Sequence, residues 1–332
     1  MTGTRGRMSC ASSAHRSKDG SWDVVVPCSG GKDSAYVAWM LKEKYGMHPL
    51  CTTWFPHMYT EIGWENYQRF IHAGFDVVAG QPNGFIHRIL TRLAFADYGD
   101  PFLPFIYGQY AFPLNIACKF KIPLVFYGEN GEVEYGGDMK NANKCGFDVT
   151  EDTLNHYFSG LEPSYWVKYG VPEDSLQYYK LPTPADCEAI GLKVNWMGYY
   201  HKWVPQENYY LATEKTGFIC NPERTAGTFS KYASLDDMLD GFHYYLAYIK
   251  FGIGRATSDA AHEIRDGYIA RSEGVALVSK FDGEFPAKHF KMFLRYIGIT
   301  EDEFWKVIDS FRHSNVWEKK EDGSWSLKWT VQ

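Results

Sequence analysis

The sequence predicts an α/β protein built on a doubly wound, parallel, five-stranded sheet. Two observations lead there. Short apolar runs rich in β-branched residues alternate with segments of helical spacing, and a glycine turn joins the first run to the first helix. The turn is Ser29-Gly30-Gly31-Lys32-Asp33-Ser34, lying between the run at 23–28 and the helical pattern at 35–42. Adjacent glycines let a backbone approach an anion closely, and the N–H groups at the start of the next helix point at it. Lys32 adds a positive charge, and Ser29 and Ser34 add hydroxyl donors. The stretch therefore reads as a phosphate cradle rather than an ordinary strand-to-helix turn.

Further strands are predicted at 49–54, 75–79, 122–127 and 193–200, with helices at 61–72, 85–96, 109–120 and 206–216. In such a sheet, ligands gather at the carboxyl ends of the strands near the switch in strand order. Gly128 to Gly137 follows the fourth strand and carries Glu129, Glu132 and Glu134. It is expected to face the same crevice, where carboxylates hold Mg²⁺ or a hydroxyl-rich substrate; a solvated acidic turn is the plainer reading. From 138 to 192 the alternation breaks into clustered aromatics and scattered prolines, an insertion suited to a lid or substrate-recognition segment, or simply to packing. Residues 1–20 are rich in Ser, Arg and Gly and read as a flexible leader, 21–217 as the sheet domain, and 218–332 as a mainly helical region.

In that last region helices are predicted at 235–250, 258–270, 286–297 and 301–311, with Thr300 capping the last. Lys250 to Asp259 places glycines, Lys250 and Arg255 at one helix start, a second candidate anion site unless it is only a helix cap. A hairpin closed by Asp322-Gly323 is expected at the end.

Composition bounds the function. A net charge of −6 over 332 residues gives no basic field for nucleic acid. Seven cysteines, odd in number and without CxxC spacing, fit reduced thiols in a cytosolic protein. No apolar run is long enough to span a membrane. Aromatics at 17% suit either a stacking pocket or, more plainly, an aromatic core.

The six-residue stretch lacks the spacing of a Walker loop. It resembles the PP-loop of ATP pyrophosphatases, of the adenine nucleotide alpha hydrolase-like type. Within that superfamily, SGGKDS at 29–34, YGENGEVEYGG at 127–137, YIKFGIGRATSDAAHEIRDG at 248–267 and GITEDEFWKVIDSF at 298–311 resemble the N-acetyl sugar amidotransferases of surface-polysaccharide (LPS O-antigen) and nonulosonic-acid biosynthesis. The resemblance runs from about residue 22 onward. It lacks the N-terminal CxxC-type motifs common in that family, since only Cys10 stands there, so no zinc site is carried over from the family.

The resemblance implies ATP and Mg²⁺ as cofactors, and conversion of an acetamido group on a nucleotide-activated sugar to an acetamidino group, with release of AMP and pyrophosphate. It implies ammonia from a separate glutaminase subunit, alongside a cyclase-like barrel subunit. On this reading Ser29, Gly30, Gly31, Lys32 and Ser34 hold phosphate, and Asp33, helped by Glu129 or Glu134, holds Mg²⁺. Thr53, Trp54 and Gly128 border the nucleotide. Asn130, Tyr135, Lys250, Arg255 and Asp259 lie on the substrate side. Two other classes stay open: a PP-loop enzyme modifying tRNA by thiolation or lysidine formation, and a non-catalytic adenine-nucleotide-binding domain.

Overall fold

A computed structural model describes residues 15–130, 139–149 and 157–332. In chain order the principal elements are β1 (Val24–Pro27), α1 (Lys32–Trp39), β2 (Pro49–Trp54), α2 (Glu61–His72), β3 (Asp76–Gly80), α3 (Gly84–Leu93), α4 (Leu103–Phe120), β4 (Leu124–Tyr127), α5 (Pro184–Ile190), β5 (Lys193–Trp196), α6 (Met197–Tyr200) and α7 (Pro205–Thr216). They continue with α8 (Asp240–Phe251), α9 (Arg255–Asp266), α10 (Arg271–Phe281), α11 (Phe290–Ile297), α12 (Glu301–Ser310), β6 (Trp317–Lys319) and β7 (Trp325–Leu327). The chain divides into two compact units: Met1–Pro56, Glu61–Asn83 and Phe105–Ile219 form one, and His57–Thr60, Gly84–Pro104 and Cys220–Gln332 the other.

The first unit holds a five-stranded sheet in the order β3-β2-β1-β4-β5, every neighbouring pair parallel. Val24, Val25 and Val26 are fully buried because β1 is central and covered on both faces, the environment that favours continuous apolar runs in parallel sheets. β3 is an edge strand, and only its last residue, Gly80, is buried. The chain winds outward from β1 through β2 to β3, then crosses to β4 and β5. The switch in direction thus falls between β1 and β4, where Val25 pairs with Val125. Both strands end two residues later, so the segments after Pro27 and Tyr127 leave the sheet as neighbours.

The second unit is mainly helical and buries an aromatic core. Phe95, Phe242, Phe293, Phe304 and Ile308 lie at its centre with Leu246, Ile249 and Trp317. Phe242 and Phe293 stack with ring centroids 4.1 Å apart, and Phe95 stacks on Phe304 at 5.4 Å. β6 and β7 form an antiparallel hairpin, and Gly323 in its loop takes a positive φ of 83°.

Several boundaries differ from the sequence reading. The fifth strand stops at Trp196, because Gly198 N–H donates to the Gly128 carbonyl and Met197–Tyr200 turns helical. The helix expected from 235 starts at Asp240, since Asp237 spends its carboxylate on His57 and on the Leu239 N–H. The helix expected from 258 begins at Arg255, and α4 begins at Leu103 with Pro104 in a first turn that has no use for its missing N–H. Helix α10 was not foreseen. Its Gly274 breaks the apolar pattern but fits against α9, where an added Cβ would lie 2.6 Å from Ile264 Cδ1.

Of the expected leader, residues 1–14 lie outside the described residues. Beyond them, Arg16 donates to the Tyr45 carbonyl at 2.6 Å, and Ser17 N–H donates to Asp23. In the described part of the insertion, Phe158, Trp166, Leu176 and Tyr179 are buried, and Trp166 Nε1 donates to Tyr107 Oη at 3.2 Å. Of the clustered aromatics, Phe158, Trp166 and Tyr179 therefore pack, Tyr157 and Tyr165 are half-buried, and Tyr169 and Tyr178 stay exposed.

Candidate functional site

In the first unit the loop after β1 is shaped by glycine at two positions. Gly30 has φ +83°, and a Cβ there would meet Tyr67 Cα at 2.6 Å and Tyr67 N at 2.8 Å. Both the dihedral and the backbone of α2 exclude a side chain. Gly31 then precedes the first residue of α1 in extended conformation and, as glycine, supplies no side-chain cap to that helix start. The first-turn N–H groups of α1 lack intrahelical acceptors, and the positive end of its dipole faces the same way. Ser29 and residues 31–34 are half-buried, and Ser34 Oγ donates to the Gly31 carbonyl at 3.1 Å.

Charge in the loop is internally organised. Lys32 Nζ donates to Asp33 Oδ2, and the Lys32 side chain keeps 11% of its surface against 35% for Asp33. Asp33 Oδ1 accepts from Asn208 Nδ2 of α7 at 2.9 Å. Asn208 is a functional candidate that the sequence reading missed. Its signal was available: within the stripe Val204, Asn208, Ala212 and Thr216, spaced four apart and all buried, it is an amide among mainly small or apolar residues.

After β4, Gly128 packs so closely on Trp203 that a Cβ would lie 2.8 Å from its ring. Glu129 is half-buried, and Asn130 is buried with Nδ2 donating to the Ala142 carbonyl at 3.4 Å. The structure thus brings 29–34 and 128–130 together at the carboxyl ends of β1 and β4. Glu134 and Tyr135 lie outside the described residues. Thr53 and Trp54 do not present a surface there. Thr53 is fully buried with Oγ1 3.3 Å from Cys28 Sγ, and Trp54 is 4% exposed, wedged over Gly108 and against Phe112 and Tyr179.

The donor set fits a polyphosphate. A helix start directly behind glycine, a loop in which only glycine is tolerated at position 30, and one ammonium match the needs of an anion with several oxygens. For Mg²⁺ the fit is narrower. Among the described residues no group of three His, Cys, Asp or Glu is placed to hold a metal, and the carboxylates described in these two loops are Asp33 and Glu129, Glu134 lying outside the described residues.

Lys250, Arg255 and Asp259 lie in the second unit. Lys250 Nζ donates to the Tyr98 carbonyl at 3.1 Å, and burial lowers its pKa, partly opposed by Asp100. Arg255 Nε donates to Asp259 Oδ1 at 3.2 Å, its Nη1 to Ser234 Oγ at 3.2 Å, and its guanidinium lies over the Tyr244 ring. Thr228 donates to the other oxygen of Asp259. The start of α9 carries its own carboxylate, since Asp282 accepts from the N–H groups of Gly254 at 3.0 Å and Thr257 at 3.1 Å.

Beside Lys250 lies a pair that the sequence reading also missed. His243 Nδ1 meets Asp100 Oδ1 at 2.8 Å. Burial pushes the imidazole pKa down, but the Asp100 charge and hydrogen bond outweigh it and hold His243 above its ordinary value. Burial likewise pushes Asp100 up, and His243 outweighs it, so Asp100 sits below the usual carboxylate range. Asp240, one turn before His243 on α8, is raised by burial against the pull of Arg255 and His243.

Comparison with known sequences bears on the second unit. No curated protein matches the chain. Residues 226–331, which include Asp240, His243, Lys250, Arg255 and Asp259 but not the loop at 29–34, match the family model described as LPS biosynthesis protein WbpG-like, C-terminal domain.

Proposed function

We propose that this chain is an ATP-dependent, AMP-forming amidotransferase of lipopolysaccharide biosynthesis, converting an acetamido group of a nucleotide-activated sugar to an acetamidino group. The observation that carries the reading is the loop at 29–34, placed at the switch point of a parallel sheet, with a backbone that excludes a side chain at Gly30 and a helix start directly behind glycine. The match of residues 226–331 to a WbpG-like domain supports the pathway. The PP-loop resemblance supports the reaction class.

The chemistry follows from the weakness of the substrate. An amide carbon is a poor electrophile toward ammonia, and its oxygen is a poor leaving group. Attack of the amide oxygen on the α-phosphorus of ATP breaks the bond to pyrophosphate, and ammonia then adds to the activated carbon. AMP departs with the former amide oxygen, leaving carbon bonded to nitrogen. Residues Gly30, Gly31, Lys32 and Ser34 hold the departing pyrophosphate, whose negative charge grows as the bond breaks. Asp33 is the ligand offered to Mg²⁺, which would neutralise phosphate oxygens when bound. Ammonia comes from a separate glutaminase subunit. Among the described residues no helix is long and apolar enough to cross a membrane, and a cytoplasmic enzyme using a water-soluble nucleotide sugar fits that.

The experiment supplies the protein with Mg²⁺–ATP, ammonium and a UDP-linked N-acetylhexosamine. The expected products are AMP, pyrophosphate and a sugar lighter by about one dalton, the difference between oxygen and NH. AMP formation that requires tRNA would move the chain to the tRNA-modifying class, and the absence of AMP with every acceptor would make it a binding domain.

A further inference from the structure

The buried stripe of α7 facing α1 contains one side chain that packing does not explain. Val204 and Ala212 are apolar, and Thr216 satisfies its hydroxyl on the Ala212 carbonyl one turn back. Asn208 is 1% exposed and reaches out of its own helix to Asp33, 175 positions earlier in the chain. A buried amide is costly unless bonded, and an apolar residue of similar size would fill the position without that cost. A carboxylate only accepts, so the amide nitrogen must be the atom that faces it. The contact is a hydrogen bond to a charged acceptor, the stronger kind.

We propose that Asn208 is a positioning residue of the phosphate loop, fixing the Asp33 carboxylate in one orientation. Asp33 is gripped on both oxygens, by Asn208 on Oδ1 and by Lys32 on Oδ2. Without Asn208 the carboxylate is held on one side only and is free to turn onto the helix start, where, with no Mg²⁺ between them, its charge repels phosphate. Asn208 thereby sets which charge the loop presents: the ammonium of Lys32 and the helix start, with the carboxylate held in place beside them. The role rests on reading the loop as a polyphosphate site.

The test uses inorganic pyrophosphate and Mg²⁺–ATP as probes, titrated calorimetrically into the full chain and into Asn208→Ala, Asn208→Leu, Asp33→Ala and the double variant Asn208→Ala/Asp33→Ala. The expected result is that both Asn208 variants bind pyrophosphate at least about tenfold more weakly. Asn208→Leu should do so while unfolding at a temperature no lower than the wild type, because it keeps the stripe filled. The double variant should bind no more weakly than Asp33→Ala alone, because a residue that acts through Asp33 has nothing left to position. Wild-type affinity in Asn208→Leu, or losses that multiply in the double variant, would overturn the role while leaving the proposed function standing. Failure of the wild type itself to bind either probe would remove both.

Discussion

Gly30 carries the narrowest constraint in the loop, because its dihedral and its neighbours forbid a side chain independently. Gly30→Ala should lose roughly 1–3 kcal/mol from the backbone conformation alone, with more from the contact with Tyr67. Urea unfolding measures this, and an unchanged midpoint would mean that the loop does not adopt this conformation. Lys32→Ala leaves the backbone intact but removes the ammonium, so AMP formation should fall on the order of a hundredfold or more. Unaltered AMP release would strike the loop from the active site. These six residues were legible because their chemistry is contiguous. Asn208 shows only as an amide within an apolar stripe, and His243 and Asp100 not at all, since an isolated Asn, His or Asp on a helix or in a turn says nothing about which distant group it meets.

The His243–Asp100 pair makes a pH-dependent contribution whose sign follows from its shifts. His243 is raised, so its stabilisation is full below the unfolded value near 6.5 and is lost as pH rises through the folded value. Asp100 is lowered, so its share is present above the ordinary carboxylate value and is lost in acid as pH falls through its folded value. His87 acts in the opposite sense to His243. Burial, with a smaller push from His57, lowers it, so it costs stability as pH falls below about 6.5. The difference in melting temperature between wild type and His243→Gln should therefore shrink as pH rises from about 6 to 9. A difference constant across that range would show that the pair does not titrate as an ion pair.

At the scale of elements, α9 shows how a helix start that reads as an anion site is satisfied from within. The donors at Gly254 and Thr257 are bonded to Asp282, a residue that follows directly after α10. Asp282→Ala should cost about 1–2 kcal/mol in urea unfolding, the usual worth of a side-chain cap. Asp282→Asn should keep only part of it, because Gly254 and Thr257 donate to different oxygens of Asp282 and the carboxamide has one. Both α1 and α9 begin after a glycine that cannot itself supply a side-chain cap. Glycine, cation and helix spacing looked alike in the two sequences. Neither sequence shows whether a distant carboxylate arrives, as Asp282 does at α9.

For the whole molecule, the two units divide what has been recognised: the first holds the glycine loop and the sheet, and the second the segment that matches a WbpG-like domain. The amino-acid sequence by itself determined the strand–loop–helix order, the five-stranded sheet and the place of the glycine loop, because hydrophobic periodicity and turn chemistry act over a few neighbouring residues. It also marked the terminal hairpin and the cap at Thr300, where the hydroxyl accepts from the Glu303 N–H at 3.2 Å. Only the tertiary structure decided that His57–Thr60 and Gly84–Pro104 belong with the C-terminal helices, that Asn208 holds Asp33, and that Trp54 is sealed in the core. Each of these joins positions far apart in the chain. Periodicity records which face of an element is buried, but the free energy that chooses its partner is settled only when the distant segments pack.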